Sequence, residues 1–431
     1  MAIDIGVEWY RRESSGLLDG NYDPNATVYR HGDVFSFHND DFGSNSATKR
    51  IFAGGAGGII ETPSVGATIE ETSDWSFTIA SHKPVVYNDS VRGKVMRNDY
   101  NNQTDLDATH TALLGAAVGY DTHIYTARWI YPIVKTTGNV DYPVETETLQ
   151  LKLLRWNTAF DIVDTNDNSG TECAIFRGWG AQSSISRYET GDGILSVTST
   201  STGSSTLIDS SKNFPTNFLN HRGLSIQSGA AAGDYSAITS NTATVITPEY
   251  SFSHALGIGD TATIEHAARY LASDDIDVNQ GWQREETIIK TNSANAADGT
   301  LVRRIWKSDG VHQTLSASNI VFYAGAGRFN YVHFQNYFGN NSVAMPYREM
   351  LSDDLTVIIG APNNRRLILS DTLDLANNSL SLNDQNWTTW SAGDISLPLN
   401  THGLSASGTY YVLAVENANT VIGYQPISIE V

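Results

Sequence analysis

The stretch FNYVHFQNYFGN, residues 329–340, carries groups able to do chemistry. In an extended strand, successive side chains point to opposite sides. Val332, Phe334 and Phe338, interrupted by Asn336, then share one face, and Tyr331, His333, Gln335 and Tyr337 share the other. The first set asks for a core. The second joins rings to hydrogen-bonding tips, which is what a sugar polymer needs: flat apolar surfaces for its rings and planar partners for its hydroxyls. His333 and Tyr337 can also carry a proton as base or acid.

The elements that would position these residues are read from alternation. DTHIYTARWIYPIV (121–134), TETLQLKLLRWN (146–157), GWQREETIIKTNS (281–293), TLVRRIWKS (300–308) and SNIVFYAG (318–325) alternate over most of their length. Short alternating runs punctuated by Gly, Asn, Asp and Ser point to antiparallel sandwiches. Strict alternation places Lys152 and Trp156 on one side of their strand. With Trp282 and Arg284 they are candidates to line the same face as Tyr331, the two cations suiting an anionic polysaccharide. The competing reading covers that face with the inserted segment or a partner subunit, the aromatics then acting as interface anchors. For Trp156 and Trp282 taken singly, core packing is the commoner fate. Only 106–119 and 264–273 could hold a helical turn.

Asp and Glu number 47 against 27 Lys and Arg, a formal charge of -20. Such a surface repels nucleic-acid phosphates and anionic lipid, so neither is expected as a partner. No apolar run approaches the ~20 residues needed to cross a bilayer. The opening MAIDIGVEWYRRESSG lacks the layout of a secretory signal, and no export signal is expected. The single cysteine, Cys173, can form no internal disulfide and reads as a small buried side chain.

Two seams divide the chain. From about Gly193 to His266 it turns Ser/Thr/Gly-rich while keeping apolar alternation, which suggests an inserted β module. After IGAPNNRRLILSD (359–371) a separate strand series begins, with the spacing of an immunoglobulin-like sandwich. The expected organisation is an N-terminal arm (1–62), a sandwich in two parts (63–193 and 267–360), the inserted module (194–266) and a C-terminal sandwich (361–431).

The series that includes GWQREETIIKTNSANAADGTLVRRIWKSDG, NIVFYAGAGRFNYVHFQNYFG and SDDLTVIIG resembles the concanavalin A-like jelly roll shared by laminin G-like lectin domains and several polysaccharide lyases. Trp282, Glu286, Asp298, Gly299, Trp306, Asp309, Gly310, Phe338, Gly339, Asp353 and Asp354 occupy its patterned positions. The resemblance implies an all-β jelly roll whose concave face contacts glycans. The C-terminal series resembles the small sandwich that follows such domains, and the insertion resembles modules of bacteriophage tail and fibre proteins.

A lyase must neutralise a uronate carboxylate and supply a base and an acid within hydrogen-bond reach. Arg284 and Gln335 could neutralise, and His333 and Tyr337 could move the proton. The R.E.R and Y.K.G.Y.Q strands of such lyases are absent in that form: WQREET keeps Arg284 and Glu286 without the second arginine. Glu285 and Glu286, neighbours on a strand, face opposite ways and cannot form a glycosidase pair. In DTNDNSGTE, Asp164, Asn166 and Asn168 alternate as in calcium loops, but the glycine and final acid of such loops are missing. Calcium is the only cofactor suggested. The favoured expectation is a non-enzymatic virion structural protein of a tailed bacteriophage, in contact with other virion proteins and copies of itself, the face around Tyr331 touching polysaccharide. The alternatives are an extracellular carbohydrate-binding module or polysaccharide lyase.

Overall fold

The structure is a computed structural model. It describes residues 28–37, 48–52, 63–77, 83–100, 105–106, 109–135, 149–157, 172–179, 185–191, 195–214, 216–217, 219, 222–264, 267–273, 281–294, 296, 298–306, 312–320, 322, 328–339, 347–360, 365–375, 383–385, 395–404, 406–417 and 420–431. Among these residues every regular element is a strand. The two stretches with weak helical potential are extended: Thr109–Leu113 and Ala267–Ser273 are strands. Sheet pairing overrides the local preference there.

Two antiparallel sheets form the jelly-roll sandwich. The first runs in the order His312–Ile320, Gly299–Trp306, Gln283–Lys290, His123–Lys135, Tyr347–Gly360, Gly93–Tyr100, Val85–Asp89, with Thr48–Phe52 against the second half of Tyr347–Gly360. The second runs Ala267–Ser273, Ile185–Gly191, Glu172–Trp179, Leu149–Asn157, Tyr331–Gly339, Thr109–Leu113, Trp75–Phe77, with Asp105–Leu106 at the far end of Tyr331–Gly339. Their shared core takes Ile124, Ile130, Ile289, Leu301, Met350 and Val357 from the first sheet and Trp75, Ala112, Val332 and Phe334 from the second. At ~25 cal/mol per Å² of apolar surface removed from water, this core is the main stabilising term.

The residues of 195–264 form a six-stranded sheet of their own, ordered Leu195–Thr198, Thr261–Ile264, Gly223–Ile226, Tyr235–Asn241, Val245–Pro248, Leu207–Ile208. It closes over a separate core of Val197, Leu224, Ile226, Ile238, Ile246 and Ile264.

The C-terminal sandwich is not built from 361–431 alone. Its five-stranded sheet orders Val28–Tyr29, Thr420–Ile429, Gly408–Glu416, Arg365–Ser370, Asn383–Asp384, and Val34–Phe37 pairs with Ile395–Pro398. Phe35 and Phe37 fill its core beside Leu367, Leu369, Leu397 and Val412. Residues 28–37, set apart by their sequence as part of an arm, are thus drawn in because alternating Phe35 and Phe37 need a core. Thr48–Phe52 of the same stretch joins the jelly roll instead. Tyr410 donates its hydroxyl to the Ala406 carbonyl at 2.8 Å, fastening the strand Gly408–Glu416 to the turn before it.

The five-stranded sheet is buried on both faces. One side closes its own sandwich; on the other, Ile368, Leu413, Val415 and Tyr424 pack on Trp306 of the jelly roll. The first jelly-roll sheet therefore has two covered faces, and Gln283–Arg284–Glu285–Glu286–Thr287–Ile288–Ile289 are all buried despite their mixed character.

Candidate functional site

On the strand Tyr331–Gly339, Val332 and Phe334 enter the inter-sheet core, both at 1% exposure or less. Tyr331 and His333 take the opposite side, their rings stacked with centroids 6.1 Å apart and planes 25° apart. Tyr331 is half-buried and His333 is fully buried, so a polymer on this face would meet Tyr331 first. Across the sheet, His333 is in register with Arg155 on one side and Thr111 on the other. Tyr331 is in register with Asn157 and Leu113.

The register changes the expected membership of this face. Trp156 is paired with Val332, a core position, and Arg155 takes the place beside His333 that alternation had reserved for the Lys152 side. The cause is an irregularity between Lys152 and Leu154, where two steps on one strand match three on the other, Phe334 to Tyr337. Tyr337 pairs with Lys152, on the far side of that irregularity. Gln335 pairs with Thr109. Arg155 was missed because a bulge leaves no mark in a run as regular as LQLKLLRW.

Arg284 and Trp282 belong to the other sheet. The strand Gln283–Lys290 pairs with His123–Lys135 and Gly299–Trp306, never with Tyr331–Gly339. Arg284 is fully buried. Its Nη2 donates to the Tyr125 hydroxyl at 2.8 Å, and that hydroxyl donates to Glu286 Oε2 at 3.2 Å. Arg304 Nη1 stands 3.5 Å from Glu286 Oε1, and the Arg284 guanidinium lies 5.7 Å from the Trp306 ring centroid. From the C-terminal sandwich, Arg366 stacks on Tyr125 at 4.0 Å. Of the four groups proposed for elimination, Arg284 is thus separated from His333, Gln335 and Tyr337 by the thickness of the sandwich.

Trp282 packs with Val95, Trp129 and Leu351 at 7% exposure and donates its indole N–H to Asp89 Oδ1 at 3.0 Å. Beside it lies a buried charge cluster of the seam. Arg92 Nε and Nη2 donate to Asp353 and Asp354, each at 2.8 Å, while its guanidinium stacks 4.5 Å from Trp129. Asn400 of the C-terminal sandwich donates to both oxygens of Asp354 at 3.1 Å, tying the two units together. A side chain at Gly403, whose φ is +77°, would stand 2.6 Å from Arg92 Nη1. His402 stacks on His31 at 4.1 Å, and burial, outweighing the attraction of Asp353 and aided by His31 and Arg92, pushes its pKa down to about 4. The acidic pair of the jelly-roll pattern is thereby occupied as a fastening.

A third charged group lies inside the sandwich. Glu285 accepts from Arg303 at 3.1 Å and stands 3.5 Å from Arg128, all three buried. Thr126, Thr287 and Phe334 close around them. Glu285 and Glu286 do face opposite ways, one into the sandwich and one into the seam.

Asp164, Asn166 and Asn168 lie outside the described residues. Among the described residues, no group of three or more His, Cys, Asp or Glu could hold a metal ion. Nor is any helix among them long and apolar enough to cross a membrane.

No protein-family model matches the chain, and no curated protein does. Among solved structures, an alginate lyase from Aplysia kurodai aligns over 64% of this chain and 86% of its own at 10% identity and a TM-score of 0.34. Alginate lyase Aly36B aligns over 72% and 96% at 9% identity and a TM-score of 0.38. Lectin I-B4 from Griffonia simplicifolia aligns over 76% and 98% at 11% identity and a TM-score of 0.25. Likeness at this level leaves function to be argued from the chain's own geometry.

Proposed function

We propose that this chain is a non-catalytic structural protein of a bacteriophage virion that contacts polysaccharide through the outer face of its second jelly-roll sheet, at Tyr331. One observation carries the non-catalytic part: Arg284, the expected carboxylate neutraliser, is locked beneath the C-terminal sandwich by Tyr125 and Glu286, on the sheet that does not hold His333. A reaction needs its groups within hydrogen-bond reach of one substrate. The virion placement is supported by the phage-like pattern of the insertion and by a net charge of -20, which suits a crowded, soluble assembly. Self-association in closed symmetry is expected of such an appendage.

Mass spectrometry of purified particles tests the placement: the chain is expected among the structural proteins, and particles without it overturn the reading. Affinity electrophoresis in gels containing alginate tests the contact, with retardation expected to be lost in Tyr331→Ala.

The second reading, a lyase or carbohydrate-binding module for acidic polysaccharide, is favoured by one feature: the cross-strand pairing of Arg155 with His333 sets a cationic residue beside a proton carrier. Elimination would give an unsaturated product absorbing in the ultraviolet, lost in Arg155→Ala.

A further inference from the structure

We infer that the outer face of the inserted module is a second contact site, for a neutral glycan, centred on Tyr235. The site is separate from Tyr331 and does not depend on it.

Tyr235 is 61% exposed, yet its ring is seated rather than projecting. A Cβ built on Gly223, in the adjacent strand, would collide with the Tyr235 hydroxyl oxygen and lie 2.8 Å from Cζ and 2.9 Å from Cε2. The tip and one edge of the ring therefore lie over the bare backbone of Gly223, while much of the side chain is open to solvent. That is the form of a stacking platform, since a sugar ring packs its apolar C–H face on an aromatic plane. Gly223 is the residue that permits it.

The neighbours supply the polar half. Register sets Tyr235 beside Ser225, Ser225 beside Thr263 and Thr263 beside Ser196, a row across four strands at about 4.8 Å per step. Gln227 Nε2 donates to Ser225 Oγ at 2.8 Å and to Thr263 Oγ1 at 3.1 Å, which fixes the hydroxyls and leaves the amide in the row. The step is close to the length of one sugar unit along an extended polymer. From Thr198 and Thr261 to Thr239, no strand residue on this face carries a charge, in a chain of net charge -20. Among the described strand residues of this face a uronate polymer or a nucleic acid would find no cation; a neutral, hydroxyl-rich ligand meets the Tyr235 ring, hydroxyls and the Gln227 amide.

The experiment is affinity electrophoresis of the full chain in gels containing a neutral glucan, a neutral galactan or a neutral mannan, with alginate as the charged comparison. Retardation by at least one neutral polymer is expected, about tenfold weaker in Tyr235→Ala. It should also weaken in Gly223→Ala, which forces the ring off its seat while keeping the phenol, and persist in Tyr331→Ala. Circular dichroism matching the parent confirms that the variants are folded. Absence of retardation in all three neutral gels, or retardation unchanged by Tyr235→Ala, overturns the inference. So does a loss seen only in Tyr331→Ala, which would support the jelly-roll face as the sole contact. Concentration-dependent self-association abolished by Tyr235→Ala, without retardation, would make the platform a contact between copies and likewise overturn it.

Discussion

Arg284 and Tyr331 both occupy outward faces of jelly-roll sheets, on strands whose other faces share one core. Over the first sheet lies the C-terminal sandwich, and the charged and aromatic groups described there have structural partners: Arg284 with Tyr125, Glu286 with Arg304, Trp282 with Asp89, Arg92 with Asp353 and Asp354. On the second sheet, Tyr331 stays half-buried beside His333. Residue types that look equally suited to a sugar thus serve opposite ends. What separates them is which module docks on top, not the side chains themselves.

The sharpest test of the covered face is Arg92→Ala. It leaves the carboxylates of Asp353 and Asp354 buried without their cation and should cost about 3–5 kcal/mol in thermal or denaturant unfolding. A loss under about 1 kcal/mol would mean that the seam is not a fastening.

Acid should weaken the same seam. The folded-state pKa of His402 lies near 4, below its ordinary 6.5. Between those values the unfolded chain binds more protons, so stability is fully present above about pH 6.5 and falls as pH drops toward 4. The linkage is worth about 3 kcal/mol. Denaturant midpoints across that window should flatten in His402→Gln, and a wild-type profile that is already flat contradicts the assignment.

Trp282→Phe keeps the packing and removes the donor to Asp89. A loss of about 1 kcal/mol is expected in the same unfolding assay. At the low end, Tyr331→Ala should shift stability by no more than about 0.5 kcal/mol while abolishing retardation by alginate. A loss as large as that of Arg92→Ala would place Tyr331 under cover too, and erase the contrast between the faces.

Much of the architecture was legible because period-2 alternation survives in strands with one wet face and in those that border the common core. The core assignments of Val332 and Phe334 followed from that pattern alone. Two kinds of information were not legible. Bulges such as that between Lys152 and Leu154 shift the phase without changing composition, which moved Trp156 to a core register and brought Arg155 beside His333. Docking of distant segments also leaves no local signal. Nothing in TVYRHGDVFSF announces that Phe35 and Phe37 will complete a core with Leu397, more than 350 residues along. Strand order likewise decided that Arg284 and His333 would lie on different sheets, which neither strand encodes alone.

The central claim is that the groups expected to perform elimination, Arg284 on one side and His333, Gln335 and Tyr337 on the other, are divided between two sheets, so that this jelly roll contacts polysaccharide without cleaving it. Ultraviolet absorbance of unsaturated product, followed during prolonged incubation with alginate and glucuronan, addresses it directly. The account predicts no rise above the protein-free control from a folded sample; a steady rise that disappears in both Arg284→Ala and His333→Ala would contradict it.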